Sequence, residues 1–393
     1  MEVHMAWKES SVMDERAKFV LRVNNGERMS DLCREFGISR KTGYKIYNRF
    51  KNEGIIGLYD KKRGPKNPHN EVPNVLKELI LSTKSRYKSW GAKKIRHYLL
   101  EKFPGQKIPV NSTIHNILDL HGLVKKKKRR PRHKAVPTNL SNPMRPNDLW
   151  CIDYKGQFKT KDHKYCYPLT ITDQVSRYLI KCEGHERIST EQAIRDCRNA
   201  FEEFGMPKAI RSDNGAPFSA RTIWGLSELS LYWLRLGIKI ERIRPGHPQE
   251  NGRHERMHRT LKLETVRPPK NNILQQQEAF DEFKETYNNT RPHEALEMKR
   301  PSDLYLKSKR NFLGLPNIDY TDCEMSLRVT NCGSICINGT RVFISCSFRD
   351  QELGLNEEDD GVYSLYFMNY QLGFIDLESK RLSVQDSPFG ILT

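Results

Sequence analysis

Leu149-Trp150-Cys151-Ile152-Asp153-Tyr154 marks an abrupt change of texture in a chain of 393 residues. The run is apolar and aromatic enough for a buried strand, yet it carries an acid near its end. Residues 164–172 and 177–182 read as two further strands of the same kind. Turn signals at 161–163 and 173–176 separate the three, as in a meander. A helix is expected over 190–204, where Ala193, Cys197, Ala200 and Phe204 share one side. Residues 209–213 form the next strand, which again ends in an acid, Asp213, before Asn214-Gly215. A helix over 221–236, a strand over 238–243 and a long helix starting near Asn251 complete the pattern. Three antiparallel strands followed by alternating helices and strands predict an α/β domain: a mixed five-stranded sheet with helices on its faces.

Working outward, the acids come first. Asp153 sits where a sheet normally wants a neutral side chain, and Asp213 closes a later strand. A glutamate from the helix that carries His247-Pro248-Gln249-Glu250-Asn251-Gly252-Arg253-His254-Glu255-Arg256-Met257-His258-Arg259-Thr260-Leu261-Lys262 would complete a set. Any one of these acids alone is most simply a surface carboxylate. Three converging on strand ends suit a hard divalent cation, which takes oxygen ligands and leaves positions open for phosphate and water. Burying them without such compensation is costly.

These same segments carry a resemblance. Cys151-Ile152-Asp153-Tyr154, Ile210-Arg211-Ser212-Asp213-Asn214-Gly215-Ala216-Pro217-Phe218 and the stretch from Pro248 to Lys262 resemble the catalytic core of the retroviral-integrase superfamily. Within it the chain is most similar to bacterial insertion-sequence transposases of the DDE type. Tyr287-Asn288-Asn289-Thr290-Arg291-Pro292-His293-Glu294-Ala295-Leu296, with Pro301 and Tyr305, matches them too, so the similarity covers roughly residues 30–305. It implies a ribonuclease-H-like core and a divalent cofactor, Mg2+ or Mn2+, as two ions. It also implies binding to terminal inverted repeats, cleavage of the DNA ends, and joining of the 3′-hydroxyl ends to target DNA. Asp153, Asp213 and Glu255 would be both the catalytic and the metal-binding residues. Partners would be transposon-end DNA, target DNA and further copies of the chain, at least a dimer on paired ends.

Two departures stand out. Asp213 and Glu255 are separated by 41 residues, more than the family's usual spacing, with the excess assigned to an amphipathic insert around 224–236. The His/Cys zinc module of retroviral integrases is absent from the N-terminal sequence, so no structural zinc is implied. By counting alone, Glu250 would be the third acid. Position favours Glu255, which lies three residues past Gly252 inside the helix, with Arg259 and Lys262 four and seven positions on along the same face. Those two cations are candidate contacts to the DNA backbone.

The N-terminal residues supply the charge. Residues 1–150 hold 33 basic and 14 acidic side chains, whereas residues 151–393 hold 34 of each. A polyanion rewards such a cluster through counterion release. Residues 13–23 read as a helix, and residues 30–50 as a helix, a turn at Gly37 and a second helix capped by Ser39. Leu32, Phe36, Ile46 and Phe50 make the apolar stripe, leaving Arg40, Lys41, Thr42 and Lys45 outward. That is a helix-turn-helix, whose second helix enters the major groove, though an ordinary helical hairpin has the same spacing. Residues 1–60 are therefore one expected DNA-binding domain. Residues 66–124, with helices over 75–83, 90–100 and 112–121, are a second. The run Lys125, Lys126, Lys127, Lys128, Arg129 and Arg130 starts a basic linker, 125–146, that tracks phosphates or simply acts as a solvated tether.

The expected catalytic core spans 147–310. Beyond it, residues 320–380 carry short strands and an Asn338-Gly339 hairpin turn, read as a small C-terminal β-barrel. Cys323, Cys332, Cys336 and Cys346 lack paired spacing for zinc and are expected to be small buried hydrophobes. Residues 357–360 are expected to be a solvated loop. The nine cysteines at no regular spacing read as reduced thiols, and the charged start has no apolar signal block. The sequence thus points to a cytoplasmic, nucleoid-associated bacterial transposase, multidomain and without membrane spans. The rival reading is a non-catalytic DNA-binding regulator with a degenerate integrase fold.

Overall fold

The computed structural model describes residues 11–60, 71–125, 140–220, 222 and 224–384. It divides into two compact units, Met1–Pro73 and Asn74–Thr393. Lys126, Lys127, Lys128, Arg129 and Arg130 lie outside the described residues.

The first unit is three helices, α1 (Val12–Asn24), α2 (Met29–Glu35) and α3 (Arg40–Glu53). Phe19, Val20, Leu32, Cys33 and Leu58 are its buried core, with Phe36, Ile46 and Phe50 packed against them. The turn before α3 runs through Gly37 at φ +64°, a left-handed conformation that suits a residue without Cβ. The Thr42 N–H donates to Ser39 Oγ (3.1 Å), so Ser39 caps α3 as its sequence position predicts. Gly43 faces the core because a Cβ there would stand 2.5 Å from Cys33 Sγ. With that face inward, Arg40, Lys41, Thr42 and Lys45 are all exposed.

The second unit begins with α4 (Asn74–Arg86), α5 (Ala92–Lys102) and α6 (Asn111–Leu120). Their core is Ile80, Trp90, Ile95, Leu99, Ile114 and Leu118, and Trp90 stacks on Tyr87 at 4.0 Å. The following domain is built on β1 (Leu149–Tyr154), β2 (Phe158–Lys159), β3 (Tyr165–Asp173), β4 (Leu179–His185), β5 (Ala209–Ser212) and β6 (Lys239–Arg242). β3 pairs antiparallel with β1 and β4, while β1–β5 and β5–β6 are parallel. This is the mixed ribonuclease-H-like sheet, with the two-residue β2 extending the ladder on β3 as a sixth strand.

Strand alternation sorts the two faces, with a bulge at Ile180 that switches sides within β4. Trp150, Ile152 and Ile180 join Ala193, Cys197 and Phe201 of α7 (Thr190–Phe204) and the helix α8 (Glu228–Arg235). Leu179 and Cys182 turn the other way, onto Met257 and Leu261 of α9 (Gly252–Leu261) and Phe280 and Phe283 of α10 (Ile273–Asn289). The helix expected over 221–236 is shorter than expected. Ser219 and Leu226 form a bridge, and α8 begins only where Ser227 Oγ accepts from the Ser230 N–H (3.2 Å). Nor is this insert a half-exposed amphipathic strip, since residues 229–234 are all buried. The long final helix also stops early: after Leu261 the backbone widens into a π turn, Lys262–Val266.

The α4–α6 unit is tied to this domain through ionic contacts. Arg291 donates to Glu264 and to Ser89 Oγ, both at 2.8 Å, and Ser89 Oγ in turn donates to Glu264. Lys93 pairs with Glu294 (3.3 Å), and Glu101 pairs with Arg300. After α11 (Pro301–Leu304) come β7 (Met325–Arg328), β8 (Ser334–Ile337), β9 (Thr340–Phe343), β10 (Glu352–Asp359), β11 (Val362–Phe367), β12 (Tyr370–Asp376) and β13 (Arg381–Val384). They form a five-stranded antiparallel sheet, β13-β12-β11-β10-β7, and the β8–β9 hairpin. The hairpin sits against both edge strands of the sheet, β8 beside β7 and β9 beside β13. The hairpin turns through Asn338 and Gly339, both at positive φ, as the type I′ signal requires.

Two expectations fail in this region. Glu357, Glu358 and Asp359 belong to strand β10, held where the Tyr363 hydroxyl donates to Glu357 (2.9 Å) and Ser364 Oγ to Glu358 (2.6 Å). Cys332, Cys336 and Cys346 are exposed and Cys323 half-buried; Cys336 takes the outward position of β8, and the other three lie outside the strands. Among the described residues no helix is long and apolar enough to cross a membrane.

Candidate active site

Trp150 and Ile152 fix the face of β1 that packs on α7, and Asp153, the next residue, is turned by alternation to the opposite face, toward α9. Its register partner is Thr170 on β3, whose hydroxyl lies 3.1 Å from the Asp153 carbonyl. Asp153 remains 23% exposed. Its carboxyl is pushed up to about 7 by burial first, then by the charge of Asp213, with Glu255 adding to the effect. Asp213 follows β5, half-buried, and accepts from the Gly215 N–H (3.0 Å). Glu255 is exposed in the first turn of α9. Asp153 therefore senses the charge of both other acids, one beyond a neighbouring strand and one on a helix.

Glu250 behaves differently. Its side chain is 1% exposed, and its carboxylate is occupied by Arg244, accepting from the backbone N–H (2.8 Å) and from Nε (2.7 Å). Burial alone would raise its pKa, but the Arg244 hydrogen bonds outweigh that and hold it below the usual value. Both of its oxygens are thus spent on closing the loop between β6 and α9.

Cations border the acids. Lys155, one residue beyond β1, has its pKa lowered by burial and by Lys262, with Asp153 and Glu255 opposing. Arg259 and Lys262 are exposed beyond Glu255, on the stripe expected from their spacing.

A second layer of side chains went unread in the sequence. His254 and His258 are buried under Asp153, with rings edge-to-face at 4.5 Å. Thr170 Oγ1 lies 2.8 Å from His254 Nε2 and 2.6 Å from His258 Nε2, and Thr172 Oγ1 lies 2.7 Å from His254 Nδ1. Burial lowers the His254 pKa to about 3, and burial together with His254 and Lys155 takes His258 well below its usual value. The available signal was His-x3-His on one helix face and Thr-x-Thr on one strand face. Among the described residues, Asp153, His254 and His258 are the one group of three possible ligands whose donor atoms lie within 4.8 Å of one another.

Comparison with known proteins shows what the chain is similar to. Residues 143–248 and 236–301 match integrase core domain families. Residues 15–66 match a helix-turn-helix domain and 42–118 a homeodomain-like domain. Residues 324–383 match the IS481 family transposase C-terminal domain. An uncharacterized 31.7 kDa protein of insertion element IS407 from Burkholderia multivorans is 24% identical over 47% of this chain and 65% of its own. An uncharacterized 39.2 kDa protein of insertion element IS476 from Xanthomonas euvesicatoria is 23% identical over 57% of this chain and 64% of its own. The chain thus spans a little under two thirds of each relative. Among solved structures, the simian T-cell lymphotropic virus intasome in complex with a PP2A subunit contains a chain 16% identical. The match covers 74% of this chain and 97% of that one, at a TM-score of 0.38.

Proposed function

We propose that this chain, similar to bacterial insertion-sequence transposases and carrying a core of the retroviral-integrase kind, cleaves transposon ends and joins them to target DNA. The observation that carries the proposal is Asp153: a strand-borne carboxyl pushed up to about 7 by burial and by two neighbouring acids. Like charges gathered in a half-buried site need a cation, and the donors offered here are carboxylate oxygens that suit Mg2+ or Mn2+. Asp153, Asp213 and Glu255 would hold the metal as two ions. When bound, such ions activate the attacking oxygen and stabilise the leaving one.

The protein's own part is placement. β1 and β5 run parallel and side by side, which brings Asp153 and Asp213 to the same end of the sheet. Helix α9 carries Glu255 over it. Lys155, Arg259 and Lys262 offer positive charge to the DNA backbone beside the acids, as Lys125 does at the start of the basic linker. Arg40, Lys41, Thr42 and Lys45 on α3 would enter the groove of the terminal repeat. Joining two ends calls for at least a dimer.

The rival reading, a DNA-binding regulator with a degenerate core, leaves the three acids and their electrostatic coupling without a purpose. A strand-transfer assay on an end oligonucleotide with Mg2+ or Mn2+ separates the two. The wild-type chain should cut and join, while Asp153→Asn and Asp213→Asn should do neither yet bind the end as tightly. Absence of metal-dependent cutting by the wild type on its own element's ends supports the regulator.

A further inference from the structure

Hydrogen-bond bookkeeping beneath Asp153 leaves one atom without a role. Thr170 Oγ1 has one proton, and giving it to the Asp153 carbonyl (3.1 Å), which can only accept, is the one assignment that makes all three of its contacts hydrogen bonds. The two remaining lone pairs of Thr170 Oγ1 then receive the Nε2–H groups of His254 (2.8 Å) and His258 (2.6 Å). His254 Nδ1 accepts from the Thr172 hydroxyl (2.7 Å), so both its nitrogens are spent. His258 Nδ1 keeps a bare lone pair, and that pair faces Asp153 Oδ2 at 3.7 Å.

This distance is too long for a hydrogen bond whichever atom carries a proton. Two Lewis bases thus face each other in a site where His258 is 7% exposed. A cation between them resolves the arrangement. Bonds of about 2.0–2.2 Å to one ion set neighbouring donors about 3.0–3.6 Å apart, within a small side-chain movement of the observed gap. The Thr170 contact on the far ring nitrogen is the outer partner that fixes the tautomer of a ligating imidazole.

We propose that His258, through Nδ1, is a ligand to one of the divalent ions held by Asp153, making that site a mixed nitrogen–oxygen one. The proposal rests on the reading of Asp153 as a metal ligand. An imidazole ligand favours Mn2+ over the harder Mg2+, which takes oxygen almost exclusively. His258 would therefore set metal preference, a part that neither Asp213 nor Glu255 can play.

The test uses the full chain without DNA. Pulsed electron paramagnetic resonance of bound Mn2+ should show coupling to a directly ligated 14N, and 15N-histidine labelling should move that coupling. In His258→Gln the coupling should vanish, with Mn2+ affinity down about tenfold or more and Mg2+ affinity changed less than about threefold. His254→Gln, where it folds, should keep the coupling. The labelling result decides the question even if both variants misfold. Mn2+ bound with no histidine nitrogen overturns the inference and leaves the three-acid site standing. No Mn2+ bound at all, in the wild type as in Asp153→Asn, removes both.

Discussion

Glu250 and Glu255 stand five residues apart, and their surroundings give them different work. Both oxygens of Glu250 accept from Arg244, so Glu250→Gln should loosen the loop before α9 and leave cutting largely intact. Because Arg244 is 41% exposed, the stability loss should be small, about 1 kcal/mol, read as a few degrees in Tm. Glu255→Gln should abolish end cleavage in Mg2+ with little change in Tm; the reverse pattern would move the active site to Glu250. Asp153 adds a pH dependence. Its carboxyl keeps its proton up to about 7, and that proton must leave before a metal binds. Divalent affinity should rise with pH from 6 to 8, steeply below 7 and flattening above it; a flat profile in metal titrations would contradict this. At this scale the sequence spoke through motif position, since Gly252-x-x-Glu255 singled out the exposed glutamate where counting favoured Glu250. It was silent on Arg244, whose pairing exists only once the loop closes.

Among the elements, α9 couples site and stability most directly, because its inner face carries His254 and His258. His254 and His293 have pKa values lowered to about 3, in each case chiefly by burial, and His258 lies well below its usual value. In the unfolded chain each would titrate near 6.5. The stability from keeping them neutral is present above about 6.5 and is lost as pH falls toward the folded values. Asp153 works oppositely, since its raised value makes the folded state the better proton binder from about 4 to 7. Three groups outweigh one, so the metal-free chain should melt at lower temperature at pH 5 than at pH 7. An equal or higher Tm at pH 5 would refute this. The strands of the core were legible because each is rich in β-branched and aromatic residues between turn signals. α8 is shorter than the sequence suggests because its burial on every side erases the periodicity that marks a helix end, and the end of β10 is hidden because Glu357, Glu358 and Asp359 look like a solvated loop. The paired histidines looked like one more stretch of polar helix.

At the scale of the whole molecule, the charge split of the chain sets the physics of DNA binding. With 33 basic and 14 acidic groups in residues 1–150, affinity for end DNA should fall by about 10³–10⁵ between 50 and 200 mM salt if six to ten phosphates are contacted. A binding constant that barely moves over that range would place recognition elsewhere. The order of parts, helical units before a mixed sheet before short strands, was readable from composition and periodicity. The sequence does not show that α4–α6 are bound to the sheet domain, because Ser89, Glu264 and Arg291 are far apart in sequence and individually unremarkable. That three-way contact makes α4–α6 a ruler fixed to the sheet domain. If, as proposed, the chain cuts element ends and α6 grips a base pair there, that base pair would lie at a set distance from Asp153, and the protein, not the sequence at the cut, would choose which phosphodiester is broken. Lengthening the element's end between the gripped repeat and its terminus by a few base pairs would then shift the break along the DNA by the same number, leaving extra element sequence stranded in the donor.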